Sequence, residues 1–153
     1  MRAGGPTTRE RRVSEYRPYV DESEESAARF RRGARILEEV NDVDAHRLLA
    51  AFADVAPHLG RYIVEFAYGD IYSRPGLDPR RRELVVLGAL TALGREPEVE
   101  IHLHSALNVG LTPVEIVEAL VQVLPYAGFP PVQSAVMIAR RVFAERDVLP
   151  PRE

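Results

Sequence analysis

In this 153-residue chain, His102 and Glu83 are the residues whose type and setting best suit proton transfer. After Pro97 the residues Val99, Leu103, Ala106, Leu107 and Gly110 keep the spacing of one inward helical stripe, and His102 falls at its edge. At the border of a core, burial and a partner fit an imidazole for general acid–base work; the plainer alternative is a histidine that only hydrogen-bonds across a helix interface. Glu83 shares a helix face with Val86, Leu87 and Leu90. A carboxylate there is costly to bury unless paired, so Glu83 is a candidate for orienting a histidine, with a salt bridge to Arg80 as the competing reading. Arg74, in the loop Ser73-Arg74-Pro75-Gly76-Leu77, carries a planar fork able to hold a substrate carboxylate by two oxygens; otherwise it is an ordinary exposed loop arginine. Glu65, Tyr68 and Tyr72 recur at helical spacing and Tyr126 stands at a Gly-Phe-Pro turn, positions read as the wall of a small-molecule pocket.

Other chemistries are poorly served. His104 lies about 160° further round the same helix as His102, so the two cannot grip one metal. His46 and His58 sit in separate segments, and neither an HExxH pattern nor a two-histidine, one-carboxylate spacing occurs; no metal site is expected. With no cysteine there is no disulfide, thiol nucleophile or cysteine-held cluster. A formal charge of -3 argues against nucleic-acid binding, and all twenty basic residues are arginine, from which no function is read. The composition, 46% hydrophobic and 28% charged with no long apolar run and no signal-peptide pattern, predicts a soluble cytoplasmic protein away from membranes.

The elements that must position these residues are all helical. Residues 1–20, rich in arginine and poor in aliphatics, predict a flexible arm, free or docked on a neighbouring subunit, ahead of one domain over residues 21–148. Asp21, with Glu24 three residues on, is expected to open a first helix reaching about Val40. A second helix starts near Asp44 and breaks at Pro57, and a third runs from Gly60 to about Tyr72. Asp78-Pro79 opens a fourth, apolar almost all round from Leu84 to Leu93, hence buried on every side in a bundle or a subunit interface. Pro97 to Gly110 forms a fifth. Thr112-Pro113-Val114-Glu115 is a capping box for a sixth reaching about Pro125, and a last helix ends near Asp147. The expected fold is an all-α bundle of six or seven helices.

The segment Ile63-Val64-Glu65-Phe66-Ala67-Tyr68-Gly69-Asp70-Ile71-Tyr72-Ser73-Arg74-Pro75-Gly76-Leu77-Asp78 resembles the carboxymuconolactone decarboxylase family. So do His102 with Ala106-Leu107-Asn108 and Gly110, the box at 112–116, and Tyr126-Ala127-Gly128-Phe129-Pro130. The likeness extends over about residues 29–148. It implies a cofactor-free helical protein assembled as a homotrimer or homohexamer, with a pocket near the histidine. The reaction it implies removes CO₂ from γ-carboxymuconolactone or a related unsaturated acid, with His102 as the acid–base residue. In the CxxC hydroperoxidase branch of the superfamily the glutamate and histidine fall on Glu83 and His102, but the cysteines fall on Arg95 and Glu98, so thiol-dependent peroxide reduction is excluded. The dedicated decarboxylases carry a small hydroxyl residue at the position of Glu83 and arginine at that of His104. These departures leave the substrate open, with a cofactor-free isomerase or cyclase, or a non-enzymatic binding protein, as alternatives.

Overall fold

The computed structural model describes residues 21–149; the expected arm over residues 1–20 lies outside them. Among the described residues the chain is helical without strands. Helix α1 (Glu24–Asn41) is capped by Ser23, whose side chain accepts from the Ser26 amide, and not by Asp21 as the spacing suggested. Asp42, in the left-handed region at φ 55°, ends it. Helix α2 (Ala45–Ala50) is shorter than expected: Asp44 caps it, and the chain then turns through residues 51–55 before Pro57 starts α3 (Pro57–Tyr62). This short helix passes without a break into a π-helix (Ile63–Tyr72). The expected third helix is therefore present, but its second part is wound more widely than an α-helix, a rare geometry that is frequent at functional sites.

Asp78 caps α4 (Pro79–Ala92), with Pro79 at its first position. Helix α5 (Glu96–Asn108) follows across Gly94, which turns the chain at φ 64°. The Thr112–Glu115 capping box is formed in both directions at the start of α6 (Pro113–Gln122). A single turn, α7 (Leu124–Ala127), leads into α8 (Phe129–Glu145). With the π-helix taken as the continuation of α3, and α7 as one turn, the described residues hold seven helices.

Two apolar clusters support this bundle. Leu37, Ala45, Val64 and Tyr68 join α1, α2 and the π-helix. Leu87, Leu103, Ile116, Leu120 and Val142, with their neighbours, join α4, α5, α6 and α8. The first cluster depends on a close approach of backbones: a Cβ on Gly33 would stand 1.9 Å from the Val64 carbonyl oxygen, and one on Gly69 would stand 2.6 Å from that of Arg29. No side chain fits there, so α1 and the π-helix touch directly, and Arg32 Nε seals the seam by donating to the Gly69 carbonyl at 2.6 Å.

Within one chain, α4 shows only part of the expected burial. Only its face bearing Glu83, Leu87 and Thr91 is buried, whereas Val85 and Leu93 are 63% and 68% exposed. Within one chain the helix is not buried on every side, because α5, α6 and α8 cover a single flank.

Candidate active site

The two apolar clusters meet along a polar seam made by α1, the π-helix, α4 and α5, and the predicted proton-transfer residues lie in it. Glu83, in the second turn of α4, is 0% exposed. Its Oε2 lies 2.9 Å from His102 Nδ1 on α5. Its Oε1 accepts from the Tyr72 hydroxyl at 3.0 Å, at the last position of the π-helix. The expected approach of Glu83 and His102 is thus present, and the competing pairing with Arg80 is not: Arg80 bonds Glu115 instead. Helix spacing explains the choice, since Leu87 and Thr91 carry the Glu83 face into the core while Arg80 points to α6. Among the described residues no arginine pairs with Glu83, and His102 Nε2 has no protein partner.

A second string of hydrogen bonds runs beside the first. Tyr68 donates to Asn41 Oδ1 at 2.6 Å, Asn41 Nδ2 donates to Ser105 Oγ at 2.8 Å, and Ser105 donates to the Ile101 carbonyl at 3.1 Å. The rings of Tyr68 and Tyr72 lie 4.9 Å apart, which ties the strings together. Burial, and then the charge of Glu83, push both phenols well above the ordinary tyrosine value. They are held as neutral hydrogen-bond donors.

Arg82 completes this end of the seam. Its guanidinium carbon lies 5.9 Å from the centre of the Tyr72 ring, while Nε donates to the Leu77 carbonyl at 3.1 Å and Nη2 to that of Arg74 at 2.5 Å. It therefore straps the 73–77 loop against the tyrosine that holds Glu83. Arg74 is exposed on that loop, and among the described residues its guanidinium has no partner. Sequence reasoning missed Arg82, Asn41 and Ser105. Arg82 is one of three consecutive arginines, and nothing in their spacing tells which one turns back over the loop; Asn41 and Ser105 are brought together only by the packing of α1 on α5.

Two expected pocket residues lie elsewhere. Glu65 is buried, but Arg61 Nε donates to its Oε1 at 2.6 Å and Ser26 Oγ to its Oε2 at 3.0 Å, so both oxygens are engaged on the α1–α3 side. Tyr126 is 83% exposed, at the rim of an open apolar groove of about 780 Å³ between α4 and α6. That groove is lined by Val85, Gly88 and Ala89, on the side of α4 turned from Glu83. It is a large concavity, yet it holds no acid–base pair; the geometry of the seam is the better guide to chemistry. His104 lies near Glu145 at 3.9 Å, apart from His102.

Known proteins are similar to this chain. The model of the carboxymuconolactone decarboxylase family matches residues 57–141, a span that contains Tyr72, Arg74, Glu83 and His102. The chain is 34% identical to 4-carboxymuconolactone decarboxylase of Acinetobacter baylyi over 123 residues, 80% of this chain and 92% of that protein. It is 32% identical over 117 residues to an uncharacterized 15.0 kDa protein of Paracoccus denitrificans, covering 75% of this chain and 87% of that one. A shorter likeness, 34% over 79 residues, covers 52% of this chain and 55% of the nitrosuccinic acid decarboxylase of Metarhizium robertsii. On the span of the family match and the coverage of the Acinetobacter relative, this chain belongs to the carboxymuconolactone decarboxylase family.

Proposed function

We propose that the protein is a carboxy-lyase that removes CO₂ from a lactone or related unsaturated carboxylic acid, with His102 and Glu83 as its acid–base pair. The names of two relatives support loss of CO₂ as the reaction class. The observation that carries the assignment of residues is the 2.9 Å contact between a fully buried carboxylate and an imidazole, where among the described residues the carboxylate has no arginine and the other ring nitrogen has no partner.

The chemistry follows from where charge goes. The bond from the ring carbon to the departing carboxylate breaks, CO₂ leaves, and the electron pair passes into the conjugated lactone as a dienolate. His102, protonated on both nitrogens, gives the Nε2 proton to that carbanionic system, and Glu83 holds the ring through Nδ1. The neutral imidazole then recovers a proton from solvent, so the net change is one proton taken up and one CO₂ released. Arg74, exposed on the 73–77 loop and without a side-chain partner among the described residues, would hold a second carboxylate of the substrate. Assembly as a homotrimer or homohexamer would cover the apolar outer face of α4. Light scattering tests that assembly, and a 17.1 kDa particle would contradict it.

A panel of γ-carboxymuconolactone and related lactones, followed by ultraviolet absorbance and CO₂ release, tests the function. Turnover of one lactone with stoichiometric CO₂ is expected; rearrangement without CO₂ would point to the isomerase reading, and binding without turnover to a non-enzymatic role.

A further inference from the structure

The Glu83–Tyr72 hydrogen bond bears on a question the pair alone leaves open, namely which nitrogen of His102 carries the proton when the ring is neutral. Glu83 has no exposure, and among the described residues no arginine pairs with it. A carboxylate so placed keeps its charge only through the donors that reach it, and here there are two: the Tyr72 hydroxyl on Oε1 and the His102 ring on Oε2. Tyr72 is packed in place. Its ring lies against Tyr68 on one side and under the Arg82 guanidinium on another, and Arg82 is itself tied to two loop carbonyls. The hydroxyl is thus aimed at Oε1 by groups that are independent of His102.

We propose that Tyr72 is a positioning residue that keeps the proton of the Glu83–His102 contact on Nδ1 and so leaves Nε2 as the nitrogen that loads and delivers a proton. This rests on the acid–base reading of the pair. With Tyr72 donating to one oxygen, the ionised carboxylate is the favoured form, and it demands a donor, Nδ1–H, on the other. Without that hydroxyl, Glu83 is left buried with a single donor. The pair then takes up one proton from solvent: Glu83 becomes a carboxyl that donates to Nδ1 across the 2.9 Å contact, and the neutral ring carries its hydrogen on Nε2. The pair thus holds one proton more than with Tyr72 in place, and the outward nitrogen, already protonated, can no longer accept one. Tyr72, placed by sequence spacing in a substrate-binding wall, acts in this account through Glu83 rather than on the substrate. The raised value of its phenol is consistent with a hydroxyl that stays a donor.

The test uses the full chain without ligand, its histidines labelled with nitrogen-15, at about pH 8, above the ordinary imidazole value of about 6.5. Long-range proton–nitrogen correlations distinguish a protonated ring nitrogen from a bare one, and the His102 signals are those missing from His102→Ala. Wild type is expected to show Nδ1 protonated and Nε2 bare, and Tyr72→Phe, which keeps the ring and its packing, the reverse. A wild-type ring protonated on Nε2, or a folded Tyr72→Phe with the wild-type pattern, overturns the proposal. Should Tyr72→Phe not fold, replacement of the tyrosines by 3-fluorotyrosine serves: the more acidic phenol should shift the Nδ1 proton resonance, and an unchanged resonance overturns the proposal. With an assay substrate, Tyr72→Phe should lose roughly 10²-fold in kcat with little change in KM. Full turnover by His102→Ala would remove the acid–base reading while leaving the nitrogen pattern, and hence the positioning claim, to be judged separately.

Discussion

Glu65 and Glu83 are the buried carboxylates among the described residues, and they are held in opposite ways. Glu65 bonds the permanent cation of Arg61 and the hydroxyl of Ser26, so its charge is matched by a group that does not give up its proton. Glu83 is matched by a tyrosine that stays a neutral donor and by a histidine, which can exchange its proton. The first arrangement locks α1 to α3; the second can move a proton at little cost in structure. Burial alone thus does not identify a reactive carboxylate, but the nature of its partner does.

Variants sharpen the contrast. The largest effect is expected for His102→Ala, with kcat/KM lowered by roughly 10²–10⁴ while circular dichroism and oligomer size are kept, because His102 sits at the border of the core and not inside it. Glu83→Gln should cost roughly 10² or more in kcat for a different reason: the amide donates to Nδ1 and forces the wrong tautomer, while its oxygen still accepts from Tyr72. Glu65→Gln should leave kcat near wild type but weaken the Arg61 and Ser26 bonds, lowering stability by about 1–3 kcal/mol in chemical denaturation. Were Glu65→Gln to abolish turnover and Glu83→Gln merely to soften the fold, the contrast would be inverted.

Much of this arrangement was legible in the sequence, and the parts that were not share a cause. The caps at Asp78 and Thr112 are local signals, and they appear where the residues stand. Helix periodicity put Glu83 on an inward face and His102 at the edge of one, and the resemblance to the hydroperoxidase branch, whose glutamate and histidine fall on these positions, pointed to their pairing. The start of α1 was misread because Asp21 and Ser23 both suit a cap, and only the packed helix decides between them. The π-helix has no signature in hydrophobic spacing. Glu65 and Tyr126 carry the right residue types but face away from the seam, since nothing local reports that Arg61 turns back to Glu65 or that the turn at Gly128 carries Tyr126 outward. Tertiary contacts decided all of these.

Smaller effects test the seam and its surroundings. The folded phenols of Tyr68 and Tyr72 lie above the unfolded value of about 10, so their contribution to stability is present below about pH 10 and is lost as pH rises through the folded values. Denaturation followed between neutral pH and about pH 11 should show stability declining over that upper range, less so in Tyr68→Phe. Smallest is Thr112→Ala, which removes one half of an exposed capping box and should cost about 1 kcal/mol without touching turnover.

The central claim is that Glu83 and His102 act as one unit, and a double-variant comparison tests it most directly. Measure kcat/KM on the same lactone for His102→Ala, Glu83→Gln and the variant carrying both. If Glu83 works by orienting the imidazole, the double variant should be about as slow as His102→Ala alone, because an absent ring has nothing left to orient. Losses that multiply, with the double variant slower by the product of the two single effects, would contradict the account.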